Sequence, residues 1–208
     1  IGQGYTQTTP LQLCQMTAQL ANGGFKIYPK IIVEENSKTA EDIRVIMNEN
    51  LKQLNIKNSG LQEATKLLGL KKKIEHEPLF KNSKNINLIR EAMFASTNEV
   101  RGTSYSSRIE DPKYQFAGKT GTSQVKRITK LDRELDLKTF EIPYDERDHA
   151  LYIAFGPYKN PRYAISIVIE HGGSGSSAAA PIAKKLFKLI VDRHKLREQA
   201  RIKKITKA

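Results

Sequence analysis

The sequence is poor in cysteine, tryptophan and long apolar stretches. Cys14 is its single cysteine and tryptophan is absent, so the chain forms no internal disulfide and has no cysteine cluster for a structural zinc site. No stretch reaches the roughly 18 consecutive apolar residues that a membrane-spanning helix requires. One cysteine fits a cytoplasmic chain and a disulfide-free periplasmic chain equally well.

Acidic residues are in the minority. The chain has 35 Lys and Arg against 22 Asp and Glu, a formal net charge of +13. Residues 184–208 carry ten of the basic residues and two acidic ones. This surplus suits nucleic acid, an anionic surface or an acidic substrate, but a nucleic-acid module interleaves basic with aromatic residues. Phe187 is the single aromatic residue of the segment, so we expect a solvated helical face or a flexible end, and no nucleic-acid partner.

The first helix has clear start and stop signals. Thr9 is a good N-cap, Pro10 suits the first helical position, and Gln12 completes a capping box. The glycines of Asn22-Gly-Gly24 end the helical spacing. A second helix is predicted over residues 85–97, with Leu88, Ile89, Ala92, Met93 and Ser96 on one face.

Strand signals follow the second helix. They cover residues 114–125, 149–155 and 163–170, and the short loop between the last two makes that pair antiparallel. The last two strands are apolar on both faces, which fits a sheet with helices on each side. The prediction is therefore an α/β (α+β) fold with an antiparallel sheet packed between helices. The domain body is predicted to span residues 1–191, with a helical excursion at 34–84 and a charged loop at 126–148, and a basic tail follows at 192–208. A long C-terminal helix is also predicted. Its inward face consists of Ala183, Leu186, Phe187, Ile190, Val191 and His194.

The most informative motif for chemistry is Lys119-Thr-Gly-Thr122, which sits on the first predicted strand. Small and hydroxyl residues let an extended substrate lie close to a strand and pair with it. Lys119 supplies a fixed positive charge, and the hydroxyls of Thr120 and Thr122 suit a carboxylate. A backbone N–H at Thr122 suits a developing oxyanion. Taken alone, the motif is equally compatible with an ordinary edge strand that carries a surface lysine.

Lys-Thr-Gly recurs in penicillin-binding proteins and class A β-lactamases, and its context here is specific. In the residues of several segments and in their order along the chain, the sequence resembles the transpeptidase domain of class B penicillin-binding proteins, most of all their elongation-phase members. The segments that carry the resemblance are Ile1-Gly-Gln-Gly-Tyr5, Thr9-Pro-Leu-Gln-Leu13, Leu20-Ala-Asn-Gly-Gly24, Gly102-Thr-Ser104, Ala117-Gly-Lys-Thr-Gly-Thr-Ser-Gln124, Asp148-His-Ala-Leu-Tyr-Ile-Ala-Phe-Gly-Pro157 and Ala164-Ile-Ser-Ile-Val-Ile-Glu-His-Gly-Gly-Ser-Gly175.

The resemblance implies a serine-type D,D-transpeptidase that cross-links peptidoglycan stem peptides ending in D-Ala-D-Ala and is inhibited by β-lactams. Lys119 and Thr122 would be catalytic, and Thr120, Gly121, Thr122 and Ser123 would bind substrate. No cofactor or metal is implied. The parent protein would sit in the inner membrane with this domain on the periplasmic face, and would work with a glycosyltransferase of the elongation complex.

The chain departs from the family in one large respect. The family's Ser-x-x-Lys nucleophile motif and its Ser-x-Asn motif precede the segment that matches Ile1-Gly-Gln-Gly-Tyr5, so we expect both upstream and expect this chain alone to be inactive. Ser123-Gln-Val-Lys126 and Ser96-Thr-Asn98 match the two patterns but in the wrong places. We interpret both as chance matches.

Other readings of the motifs are weaker. The loop His171–Ser177 lacks the lysine of a phosphate-binding loop. The four histidines are scattered and have no cysteine pair, which disfavours a zinc site. Within the same fold, a D,D-carboxypeptidase and a β-lactam-sensing receptor also carry Lys-Thr-Gly and stay open as alternatives. A basic nucleic-acid-binding module is the rival from another class.

Overall fold

The computed structural model of the chain describes residues 7–29, 78–79, 82–126, 134 and 137–205. The chain divides into two compact units, one made of residues 1–27 and 78–208 and the other of residues 28–77. The second unit lies almost wholly outside the described residues, and with it most of the predicted helical excursion (34–84). None of the helices in the described part is both long and apolar enough to cross a bilayer.

Helix α1 spans Pro10–Ala21 and begins as the sequence predicts. The Gln12 N–H donates to the Thr9 hydroxyl at 3.2 Å, and the Gln12 side chain accepts from the Thr9 N–H at 2.8 Å. This reciprocal pair satisfies two backbone donors that a helix start otherwise leaves open. Asn22 ends the helix, and the next two glycines, Gly23 and Gly24, have φ of 96° and 91°. A left-handed backbone of this kind favours glycine.

Three antiparallel strands form one sheet in the order β1-β2-β3, with β1 at Ala117–Ser123, β2 at His149–Gly156 and β3 at Tyr163–Ile169. The three predicted strands are confirmed, the first being shorter at both ends. Of the predicted charged loop, residues 137–148 contain turns and a 3-10 helix at Tyr144–Glu146, and most of residues 127–136 lies outside the described residues.

Helix α2 spans Ser83–Asn98, but its buried face differs from the predicted one. Leu88 and Ile89 are exposed, whereas Ile86, Met93 and Thr97 are buried. The buried residues are spaced by seven and four positions, which also keeps them on one helical face. The predicted helix and its buried Met93 are confirmed, but the rest of the predicted face was wrong. Leu88 and Ile89 are exposed although they are apolar, and Thr97 is buried although it is polar.

Helix α3 spans Ala180–Ile205 and follows a π-helical turn at Gly175–Ala179. Its predicted inward face is confirmed, since Ala183, Phe187 and Val191 are buried and the other three members are partly buried. The helix continues well into the basic residues that composition sets apart as a tail.

Two apolar clusters hold the sheet between the helices, as predicted. On one face, Tyr152 and Ala154 of β2 pack with Phe187 of α3, whose ring stacks on Phe116 at 4.9 Å. On the other face, Phe155 packs with α1 and α2 residues that include Leu20 and Ile86. Full burial of one such side chain contributes about 1.5–3 kcal/mol. Strand β2, which faces both clusters, is the centre of this layered structure.

We predict that Gly175→Ala strongly destabilises the chain. A Cβ at this position would overlap the Leu151 carbonyl and lie 2.6 Å from the Gly121 carbonyl oxygen, and backbone atoms in a sheet cannot move aside cheaply. The expected cost is about 1–3 kcal/mol, measured as the free energy of unfolding in urea. The matched change Ser177→Ala, at an exposed position of the same turn, should stay within about 0.5 kcal/mol. Equal effects of the two changes would contradict the packing described here.

Candidate active site

The predicted site residues Lys119, Thr120, Gly121, Thr122 and Ser123 all lie on β1, at the edge of the sheet. In the described part of the chain, β1 pairs with β2 and with no strand on its other side. An extended peptide can add to such an edge by backbone hydrogen bonds.

The backbone of β1 shows which groups face this edge. The Gly118 N–H donates to the Thr97 hydroxyl of α2 at 3.0 Å, so it points away from β2. Backbone groups alternate sides along a strand, so the N–H groups of Thr120 and Thr122 point in the same direction as that of Gly118. The Lys119 ammonium donates to the Thr120 carbonyl at 2.8 Å on that side.

A chain of polar side chains runs across the site. The Lys119 ammonium lies 3.4 Å from the Thr120 hydroxyl. That hydroxyl is 3.1 Å from the Thr103 hydroxyl, which in turn is 3.2 Å from the Ser96 hydroxyl. One cation and three hydroxyls therefore stand together at the sheet edge, and Thr122 adds an exposed hydroxyl two positions further along β1. Charge-assisted donors of this kind suit a carboxylate.

A second, buried hydroxyl network lies beside this chain and positions it. The Tyr152 hydroxyl is 3.0 Å from the hydroxyls of both Thr97 and Ser104. Ser104 also donates to the Ser96 carbonyl at 3.0 Å. Tyr152 can reach α2 because its ring passes Gly118, where any Cβ would overlap the phenol. The network thus joins the central strand, the end of α2 and the turn that carries Thr103.

Burial sets the protonation of this network. It raises the pKa of Tyr152 above the ordinary value of 10.0, and the hydrogen bonds with Ser104 and Thr97 oppose the shift more weakly. The phenol therefore stays protonated and can donate.

Sequence reasoning did not find Ser96, Thr97 and Tyr152 as parts of the site, and it used the Gly102–Ser104 segment only as one of those that carry the family resemblance. Tyr152 lies in an apolar strand, where its hydroxyl gives no signal. Thr97 is buried on a helix face whose apolar residues pointed elsewhere. The available signal was Gly118, since a glycine next to Lys119 in a strand can mark a close approach by another side chain.

The two chance matches to family motifs have other roles in the structure. The Asn98 amide donates to the carbonyls of Phe94 and Phe116, both at 3.0 Å, and so joins α2 to the start of β1. Lys126 forms an ion pair with Glu146 at 2.8 Å. Among the described residues, no lysine or histidine side chain forms a hydrogen bond with the hydroxyl of Ser96 or Ser123. Within the described part of the chain, neither serine therefore has the adjacent base that activates a nucleophile.

Two histidines lie near the far end of β1. His149 pairs with Ser123 in the sheet register, and its Nδ1 accepts from the His171 N–H at 3.0 Å. Their rings are 4.8 Å apart. No group of three or more metal-ligating side chains occurs within the described ranges.

We predict that Tyr152→Phe lowers the free energy of unfolding by about 1–2 kcal/mol at neutral pH, because it leaves two buried hydroxyls short of a partner. Tyr144→Phe, at an exposed tyrosine, is the control and should cost about 0.5 kcal/mol at most.

The same pair of variants has a pH signature. Because the folded pKa of Tyr152 is raised, the unfolded chain loses this proton first, and stability falls as the pH rises above about 10. Unfolding in urea between pH 8 and pH 11 should show a shallower alkaline decline for Tyr152→Phe than for the unaltered chain. Identical slopes would contradict a buried, protonated phenol.

Comparisons with known proteins agree with these observations. Residues 1–188 match the family described as penicillin binding protein transpeptidase domain. The peptidoglycan D,D-transpeptidase MrdA of Salmonella typhimurium is 34% identical over 193 residues, which cover 92% of this chain and 26% of the relative. The protein of the same name from Escherichia coli K12 is 27% identical over 194 residues, with 92% and 25% covered. The chain thus spans about a quarter of the length of these relatives.

Solved structures give the same result. The complex of penicillin-binding protein 2 with MreC from Helicobacter pylori matches with a TM-score of 0.60 and 25% identity, covering 92% of this chain and 26% of that one. Penicillin-binding protein 2 of Pseudomonas aeruginosa, solved with WCK 5153, matches with a TM-score of 0.56 and 27% identity, covering 91% and 32%. The resemblance to elongation-type members and the expected fold are confirmed: the chain belongs to the penicillin-binding protein transpeptidase family.

Proposed function

We propose that this chain forms the substrate-carboxylate side of a peptidoglycan D,D-transpeptidase site. The observation that carries the proposal is the polar chain from Lys119 through Thr120 and Thr103 to Ser96, placed on a strand edge that an extended peptide can join. The relatives named D,D-transpeptidase support the reaction class.

In this proposal the D-Ala-D-Ala end of a stem peptide lies along β1 as an added strand. Its carboxylate accepts hydrogen bonds from the Thr120 and Thr122 hydroxyls, and the Lys119 ammonium supplies the compensating charge. The Thr122 N–H donates to the oxygen of the attacked carbonyl as negative charge develops there. Gly121 and Ser123 complete the binding strand, and Gly121 leaves room because it lacks a side chain.

The covalent step belongs to a serine of a Ser-x-x-Lys motif in the parent protein. That hydroxyl attacks the carbonyl between the two D-alanines, its proton passes to the departing amine, and the last D-alanine leaves. The resulting ester is then attacked by an amine of a stem peptide on a neighbouring peptidoglycan strand. This attack restores the serine and forms the cross-link. A β-lactam acylates the same serine. Since no base stands beside Ser96 or Ser123 among the described residues, we propose that this chain alone is inactive.

The parent protein, in the same proposal, acts at the periplasmic face of the inner membrane and works with an elongation-phase glycosyltransferase. Penicillin-binding protein 2 of Helicobacter pylori was solved with MreC, which supports membership of such an assembly.

Two alternative activities of this fold differ in the fate of the acyl group. A D,D-carboxypeptidase would pass the acyl group to water, and a β-lactam sensor would retain the acyl group that it receives from the antibiotic. Product analysis separates them, because only the transpeptidase gives cross-linked peptide dimers.

The first test is the intact mass of this chain after incubation with a reactive penicillin, followed by peptide mapping. We expect no covalent adduct on the folded chain and one adduct per molecule on the parent protein. An adduct on Ser96 or Ser123 would show that the nucleophile has been assigned wrongly. A strongly salt-dependent binding of DNA or RNA by the chain would instead favour the nucleic-acid alternative.

The second test is Thr120→Val in the parent protein. Loss of one hydroxyl from the carboxylate site should lower the second-order rate of acylation by a fluorescent penicillin at least tenfold, about 1.4 kcal/mol of transition-state stabilisation. Thr8→Val, the same change at an exposed residue before α1, is the matched control and should leave the rate unchanged. An unchanged rate for Thr120→Val in a folded protein would contradict the proposed carboxylate contact.

A further inference from the structure

A small pocket lies between helix α3 and the loop that joins β2 to β3. It has a volume of about 180 Å³ and is lined by Lys113, Pro157, Arg162, Tyr163, Val191, His194, Lys195 and Glu198. This is smaller than the roughly 300–1,000 Å³ of a site for a drug-sized ligand, so the pocket suits a group of a few atoms.

Three cationic side chains line this pocket, and Glu198 is the one carboxylate among its lining residues. The Lys195 Nζ is buried and forms no hydrogen bond within the described residues. Its contact is with the ring of Tyr114, whose centroid is 5.0 Å away, and the Lys113 Nζ lies 5.5 Å from the same ring. A buried ammonium without a hydrogen-bond acceptor is costly, and an anion in the pocket would supply one.

His194 connects several residues at the wall of the pocket. Its Nε2 lies 2.9 Å from the Arg162 guanidinium, and its Nδ1 is hydrogen-bonded to the Tyr163 hydroxyl. Glu198 lies 3.9 Å from the same Nε2.

The charge of the pocket follows from these contacts. Lys113, Arg162 and Lys195 contribute three positive charges and Glu198 one negative charge. Asp192 accepts a hydrogen bond from the Tyr114 hydroxyl and keeps its negative charge, but it is not a lining residue. The lining residues are therefore positive on balance, which favours an anion, and a phosphate offers several acceptor oxygens to these donors.

We propose that this pocket is a binding site for a phosphate group, either as the free ion or as the headgroup of an anionic lipid. Arg162 and Lys195 bind its oxygens and Lys113 adds long-range attraction. The site is separate from β1 and does not depend on the proposed transpeptidase activity.

The test is an isothermal calorimetric titration of the whole chain with inorganic phosphate at constant ionic strength. We expect saturable binding of one phosphate with a Kd on the order of 1 mM. Lys195→Met keeps the apolar stem and removes the charge, and should weaken binding at least tenfold. Lys188→Met, an exposed position of α3 outside the pocket, is the matched control and should leave binding unchanged. Glu198→Gln should tighten it, because a repelling carboxylate is lost.

Circular dichroism checks that each variant is folded, and Lys113→Met replaces Lys195→Met if the latter unfolds. Absence of saturable binding, or equal weakening by Lys195→Met and Lys188→Met, would overturn the proposal. Flotation with phosphatidylglycerol vesicles, against phosphatidylcholine vesicles, identifies the source. Vesicle binding that Lys195→Met abolishes and Lys188→Met spares assigns the site to a lipid headgroup. Vesicle binding insensitive to Lys195, with phosphate binding sensitive to it, assigns the site to the free ion.

Discussion

The buried hydroxyl of Tyr152 joins the central strand to two residues that lie 55 and 48 positions earlier in the chain. It bonds to Thr97 at the end of α2 and to Ser104 in the following turn, while its own strand is the centre of the sheet. Each hydroxyl is cut off from water, so each depends on protein groups for its hydrogen bonds. The position of α2 relative to β1 is therefore set by polar contacts within a largely apolar interior.

The candidate site depends on this arrangement. Thr103, which contacts the Thr120 hydroxyl, belongs to the turn held by Ser104. Gly118 contributes twice, because its missing side chain admits the phenol and its N–H donates to Thr97. The site is thus assembled on a strand and a helix end that the core holds firmly, which suits a rigid carboxylate cradle. The small pocket beside α3 is built differently, with cationic side chains in its lining.

The sequence predicted much of this structure, and each failure has a physical reason. The capping residues of α1 and the three strands could be predicted from the sequence, because local residue chemistry and the apolar pattern indicate the same secondary structure there. The buried face of α2 was not, because polar Thr97 is turned inward while apolar Leu88 and Ile89 are exposed. The Lys119–Ser123 strand was identified as a candidate site from its residue types and from motifs shared with the family. The hydrogen bonds that link Thr120 to Thr103, and Thr103 to Ser96, were not predicted. The first joins residues 17 positions apart, and the second crosses a turn that looks ordinary in sequence.

The central claim is that the edge of β1 binds the carboxylate of a substrate or a β-lactam. The most direct test is a crystal structure of the parent protein acylated by a penicillin. We expect the antibiotic carboxylate within about 3 Å of the hydroxyls of both Thr120 and Thr122, with the acyl oxygen facing the Thr122 N–H. A carboxylate bound away from β1, with the Thr120 hydroxyl still bonded only to Thr103 and Lys119, would contradict the account.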